Sequence, residues 1–177
     1  FTSMNIPASV SHIGERAFAV CNGIDSITVE AANANYSAVD GVLFNKDRTI
    51  LHTCPSGKGA DPYTVPAGVL TIGLGAFHGC DNIDSVVLPD GLTNIEFSAF
   101  TGCGSLEGIN IPASVTTIDR VAFYGCGSLQ NIFIPSGVSS MGGDAFLNCS
   151  SLSIYCAAAA KPAGWEDDWN PDSRPVT

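Results

Sequence analysis

The chain has 177 residues, enough for one domain of ordinary size; only 14% are charged and mean hydropathy is +0.24, which excludes a highly charged disordered chain. Seventeen acids against seven bases give a net charge of −10, a balance that disfavours nucleic acid and anionic membrane surfaces as partners. The longest small-apolar run, Tyr155 to Ala160, is too short for a membrane span.

At the start of the chain Pro7, Phe18 and Cys21 form the first copy of a pattern that returns later. Met4, Ile6 and Pro7 match Ile132, Ile134 and Pro135, so Phe1 falls inside a repeat and the chain reads as a piece of a longer protein. On that reading the lack of a signal peptide says nothing about export. The open edge of this first coil would also offer a strand to another molecule. The first strand after Pro7 ends at Val29, where Glu30 stands in place of the expected proline. From Pro7 to Pro66 is 59 positions rather than 23, so 36 residues are added, and the insertion is placed at 31–62. Within it Val42–Phe44 and Thr49–His52 flank the polar Asn45-Lys-Asp-Arg48, which predicts a β-hairpin. Ser56 to Pro62 reads as a loop leading back to a strand at Tyr63–Val65, and both it and the hairpin tip are expected to project.

From here the pattern is regular. Phe77, Phe100, Phe123 and Phe146 are 23 residues apart, as are Pro66, Pro89, Pro112 and Pro135, and Cys80, Cys103, Cys126 and Cys149. Self-similarity at this fixed period predicts a repeat solenoid, one small unit stacked on copies of itself. In the unit from Ile111 to Ile134, Ile132 and Ile134 alternate with Phe133 as in a strand, and Pro135 ends it. Val115 and Ile118 turn to the core across a short extended turn. Asp119 to Cys126 reads as one to two helical turns, with Ala122, Phe123 and Cys126 near one face. One coil buries too little apolar surface to offset the ordering of its residues, so the copies are needed.

Five of the seven cysteines share one repeat position. Stacking sets such residues about 5 Å apart with parallel Cβ vectors, a poor geometry for a disulfide. They read as a ladder of buried free thiols, while Cys54 and Cys156 lie off it and are left open. No Cys-x-x-Cys occurs, and neither a metal nor a cofactor is expected. After Leu152 the strand Ile154–Cys156 reads as shortened, and Trp165 and Trp169 in the tail are candidates to cap the last coil. The expected organisation is a solenoid over 1–156 and a capping segment over 157–177. Two tryptophans around Glu166, Asp167 and Asp168 also allow a sugar grip or a calcium site, but the acids lack the alternating spacing of a calcium loop.

The pattern Ile-Pro-x-x-Val-x-x-Ile-x-x-x-Ala-Phe-x-x-Cys-x-x-Leu-x-x-Ile-x-Ile resembles the BspA-like leucine-rich repeats, the Treponema-pallidum-type class, over residues 1–30 and 63–156. The insertion around Val39–Asp47 and the tail from Lys161 to Trp169 are similar to segments of that family. The resemblance implies short parallel strands with short helical or irregular turns. It also implies an exported or cell-surface protein of bacteria or some protists, with adhesion or protein binding and no catalysis.

Outward residues of stacked strands make one face, whose central column here is Asn5, Thr28, Thr64, Val87, Asn110, Phe133 and Tyr155, beside a second column of Ser26, Ser85, Gly108, Asn131 and Ser153. Val87, Asn110, Asn131, Phe133 and Tyr155 are the candidate binding residues, since aromatics flanked by Asn are frequent in protein interfaces. The expected partner is a host or neighbouring-cell protein, extracellular matrix or glycan; the alternatives are a tail that covers Phe133 and Tyr155, a spacer that only displays other domains, and a glycan module using Trp165 and Trp169. His12, His52 and His78 sit at unrelated repeat positions, so no catalytic triad is expected.

Overall fold

A computed structural model describes residues 2–21, 23–59, 62–173 and 176. Phe1, and residues 60 and 61 of the loop before Pro62, lie outside the described residues.

Each regular coil has three sides. The first is a strand of a five-stranded parallel sheet: β6 (Tyr63–Thr64), β8 (Ser85–Val87), β10 (Gly108–Asn110), β12 (Asn131–Ile134) and β14 (Ser153–Cys156). The second is a two-residue strand in another sheet: β7 (Thr71–Ile72), β9 (Asn94–Ile95), β11 (Thr117–Ile118), β13 (Ser140–Met141) and β15 (Gly164–Trp165). The sequence reading saw this side only as an extended turn. β14 spans four residues, as long as β12, and pairs with it from Asn131↔Ser153 to Ile134↔Cys156, so the expected shortening does not occur.

The third side is an arc of turns, and no helix forms among the described residues. This corrects the helical reading of Asp119–Cys126. Two positions per coil are left-handed: φ is 61° at Gly75, 60° at Ser98, 49° at Val121 and 56° at Asp144, then 73° at Gly79, 70° at Gly102, 73° at Gly125 and 63° at Asn148. A right-handed helix cannot continue through such residues. Their effect is to aim alternate N–H groups in different directions. Val121, Phe123 and Gly125 donate to Gly143, Ala145 and Leu147 of the next coil, while Ala122, Tyr124 and Cys126 close turns within their own coil. The arc is thereby a third hydrogen-bonded stack.

Between the three sides lies the core. Phe77, Phe100, Phe123 and Phe146 are fully buried and stacked, with centroids 4.9, 5.1 and 5.5 Å apart and planes within 11° of parallel. Tyr63 meets the first ring and Trp169 the last. Trp165 is 4% exposed, and its Nε1–H donates to the Val138 carbonyl at 3.0 Å.

All seven cysteines are free; of the five ladder positions Cys80, Cys103, Cys126 and Cys149 are buried, whereas Cys21, before the insertion, is only half-buried. They do more than fill space: the Cys103, Cys126 and Cys149 thiols donate to the carbonyls of Phe77, Phe100 and Phe123 at 3.0–3.1 Å. Each thiol thus ties its coil to the phenylalanine of the preceding one. A hydrogen bond to Cys103 and burial push the Cys126 thiol well above the ordinary range.

The insertion is a meander of three antiparallel strands: β3 (Tyr36–Val39), β4 (Val42–Asn45) and β5 (Ile50–Thr53). The predicted hairpin is β4–β5; β3 was not foreseen. β5 joins the second sheet parallel to β7, through Ile50↔Thr71 and Leu51↔Ile72. Beyond it the Cys54 N–H takes the Ala76 carbonyl, the bond that Phe77, Phe100 and Phe123 make to the alanine of the following coil. Cys54 therefore occupies the place that Phe18 would fill in an uninterrupted stack. Phe18 is left half-buried in a second, smaller core with Ile6, Ile27, Tyr36 and Leu43. The loop after Cys54 does not project at its start: Pro55 and Ser56 are buried, and Gly57 N–H donates to Ile24.

The first two strands, β1 (Ser3–Ile6) and β2 (Ser26–Val29), form their own parallel sheet. Glu30 explains why proline is absent here. Its N–H extends the ladder to the Ile6 carbonyl, and its carboxylate accepts the Ala8 N–H at 2.8 Å. Asn33 holds the junction. It is 1% exposed, donates to the carbonyls of Pro7 and Val10, and accepts the N–H groups of Asn35 and Tyr36.

Two predictions follow from this packing. Asn33→Ala removes four hydrogen bonds, three part-buried and one buried, and should lower the unfolding free energy by about 2–4 kcal/mol in a denaturant titration; a loss under about 1 kcal/mol would remove Asn33 from that role. With a thiol reagent, the half-buried Cys21 and Cys156 should react in the native protein, while Cys54, Cys80, Cys103, Cys126 and Cys149 react only on unfolding.

Candidate functional site

The strand face is built by the period of two: Val86, Ile109, Ile132 and Ile154 point inward and are buried, so their neighbours point out. The parallel register then fixes the columns. Thr64 pairs with Val87, Val87 with Asn110, and Phe133 with Tyr155; Gly108 pairs with Asn131, which sets Asn110 beside Phe133 two residues on. All five sequence-predicted residues lie on this face. Val87 is 48%, Phe133 50% and Tyr155 42% exposed, and Asn110 and Asn131 are exposed as well. Neither aromatic is covered by the tail.

The face is shorter than expected. Asn5 pairs with Thr28 in the β1–β2 sheet, but no ladder joins Thr28 to Thr64. The insertion parts the two sheets, because β2 packs against β3 and β4 and Ile27 N–H donates to the Gly41 carbonyl. The continuous face therefore begins at Thr64.

Beside the aromatic row runs a shallow groove that the sequence reading did not identify. It follows the starts of the strands and is lined by Asp84, Ser85, Glu107, Gly108, Gln130 and Asn131. Gly108 interrupts the side-chain column, and a Cβ built there meets nothing within 4 Å. At the other end of the molecule Trp165, Trp169 and Ala158–Ala160 line an apolar pocket with Cys156 and Val176 at its wall. The Trp165 face is largely consumed by the core.

The histidines do not converge on one nucleophile. His52 Nδ1 lies 2.8 Å from Thr53 Oγ1 and its ring meets Tyr36 edge-on, whereas His78 lies in a groove with Arg16, Phe97 and Tyr124. Among the described residues no group of three or more His, Cys, Asp or Glu side chains is placed to hold a metal ion. No helix among them is long and apolar enough to cross a membrane. Burial pushes His52 below its ordinary value of 6.5, and nearby His12 adds to this against a hydrogen bond with the Ile13 backbone.

A folded His52 that resists its proton binds fewer protons than the unfolded chain, so its contribution to stability is present above pH 6.5 and fades as the pH falls below it. His78 is depressed in the same sense, by burial and by Arg16. Melting temperature should accordingly drop as the pH falls below about 6.5, and His52→Gln should flatten that drop. An unchanged slope in the variant would assign the effect elsewhere.

A family model described as BspA type leucine rich repeat region matches six copies over residues 1–47 and 48–161. No curated protein matches the chain. Among solved structures, the pneumococcal vaccine antigen PcpA shares 24% identity at a TM-score of 0.75, over 98% of this chain and 55% of that one. A leucine rich cell surface protein from Faecalibacterium prausnitzii shares 33% identity at a TM-score of 0.66, over 89% of this chain and 48% of that one. The leucine rich repeat protein of T. pallidum shares 25% identity at 0.55, over 86% and 57%. The chain spans about half the length of each of these proteins.

Proposed function

The chain belongs to the BspA-type leucine-rich repeat family, and from that premise we propose that it is a non-catalytic protein-binding or adhesion module of an exported cell-surface protein. The solenoid of 1–156 presents the contact surface on its strand face, and 157–177 serves as the capping segment. The observation that carries this reading is the row of Val87, Asn110, Phe133 and Tyr155. Two aromatics and a valine stand about half exposed on a regular sheet whose stability is supplied from its other side. Large side chains held in place by stacked strands lose little freedom on binding, the property of an interface anchor. Likeness to a leucine rich cell surface protein supports an extracellular setting, with a host or neighbouring-cell protein, or matrix, as partner.

The test is label-free binding of the purified chain to a panel of matrix and cell-surface proteins, with a Phe133→Asp/Tyr155→Ala variant alongside. Circular dichroism confirms that the variant is folded. Saturable binding should weaken at least about tenfold in the variant. A folded variant that binds as the parent does would move the site off the strand face. Absence of any saturable partner would favour a spacer that displays other domains.

A further inference from the structure

The strand face carries two rows of different chemistry, and together they define what it fits. The apolar row contains Val87, Phe133 and Tyr155, with the smaller Asn110 forming a dip between Val87 and Phe133. Two residues earlier along the same strands lies the groove, whose own dip is Gly108, between Ser85 and Asn131. Successive outward residues of a strand are roughly 6.6 Å apart, so the two dips are separated by the i to i+2 step of any extended polypeptide.

Charge selects what enters the groove. Asp84 and Glu107, on adjacent coils, are exposed at its margin, and neither forms an ion pair among the described residues. Between Pro62 and Ala160 the single lysine or arginine is Arg120. It lies on the turn arc, away from this face, 3.7 Å from Asp144 and 4.0 Å from Glu166. Lys58, near β6, is bonded to the Asp40 carbonyl and lies over the Tyr63 ring, and among the described residues no lysine or arginine on β8, β10, β12 or β14 competes for the two carboxylates. A small free polycation would leave the apolar row unused; a polypeptide engages both.

Resting on the strand-face reading above, we propose that this face docks an extended polypeptide segment of the pattern basic-x-apolar. A lysine or arginine sits over Gly108 between Asp84 and Glu107, and the apolar residue two positions along sits over Asn110 between Val87 and Phe133.

The probe is a fluorescein-labelled peptide of Arg-Ser-Leu-Ser repeats, with counterparts carrying Gln or Glu for Arg, read by anisotropy. Gly108→Trp fills the notch without changing charge, in open space and at an ordinary backbone conformation. Asp84→Asn/Glu107→Gln removes the carboxylates, and Glu15→Gln/Asp47→Asn removes the same charge from exposed sites elsewhere. The arginine peptide should bind saturably, weaken steeply with added salt, and lose about tenfold or more in affinity with either groove variant. The control variant should stay within about twofold, and the Glu peptide should not bind. No saturable binding of the arginine peptide, an equal loss in the control variant, or indifference to Gly108→Trp would overturn the proposal. Equal binding of the Gln peptide, lost only in Phe133→Asp, would sink the charge requirement while leaving the strand-face reading in place. Binding unchanged by both groove variants and by Phe133→Asp would sink both.

Discussion

Everything in this structure depends on equivalent residues of successive coils lying one hydrogen bond apart. On all three sides of the coil, backbone N–H groups reach the carbonyls of the neighbouring coil, and inside them phenylalanine rings lie nearly parallel at 4.9–5.5 Å. A residue in such a stack is constrained by the residue above and below it. One coil alone could satisfy neither its backbone groups nor its apolar side chains. The constraint reaches the backbone conformation itself, since the left-handed positions recur in every coil and Val121 adopts one although a β-branched residue resists it. The stack has imposed the conformation on the residue.

The insertion shows how such a stack tolerates interruption. It is spliced so that two of the three sides survive: β5 enters the second sheet, and on the turn arc Val20 still donates to His78 of the following regular coil. Only the first sheet is cut, between β2 and β6. Cys54 takes a phenylalanine's hydrogen bond while filling less volume, and Cys80 donates its thiol to the Cys54 carbonyl at 3.5 Å as the later cysteines do to phenylalanines. The price is a divided core and a shorter face, which confines any extended contact surface to Thr64 and beyond.

Features whose signal lies in side-chain type and spacing could be read from the residues: the coil, the first-sheet strands, the thiol ladder, the β4–β5 hairpin and the outward aromatic row. What escaped the sequence reading has its partners on another coil. Two-residue strands such as Thr117–Ile118 carry no period of their own. The arc at Asp119–Cys126 mimics a helix because Ala122, Phe123 and Cys126 share helical spacing, while the bonds that settle its shape go to Gly143, Ala145 and Leu147. Asn33 carries no signal of its own in the sequence, and only its four bonds reveal it as the junction. Gly108 was visible as a column member, but a notch exists only by virtue of its neighbours.

The division between inward and outward columns bears directly on function. Inward positions repeat the same residue types from coil to coil because they carry the stack. The outward column runs Thr64, Val87, Asn110, Phe133, Tyr155, five different side chains on one regular lattice. A scaffold that only holds other domains apart has no physical need for half-exposed aromatics, which add apolar surface to water without strengthening the core. The same separation makes the face tractable. Replacing Gly108, Phe133 or Glu107 removes no buried contact of the stack, so a change in binding at these positions reports on recognition and not on folding.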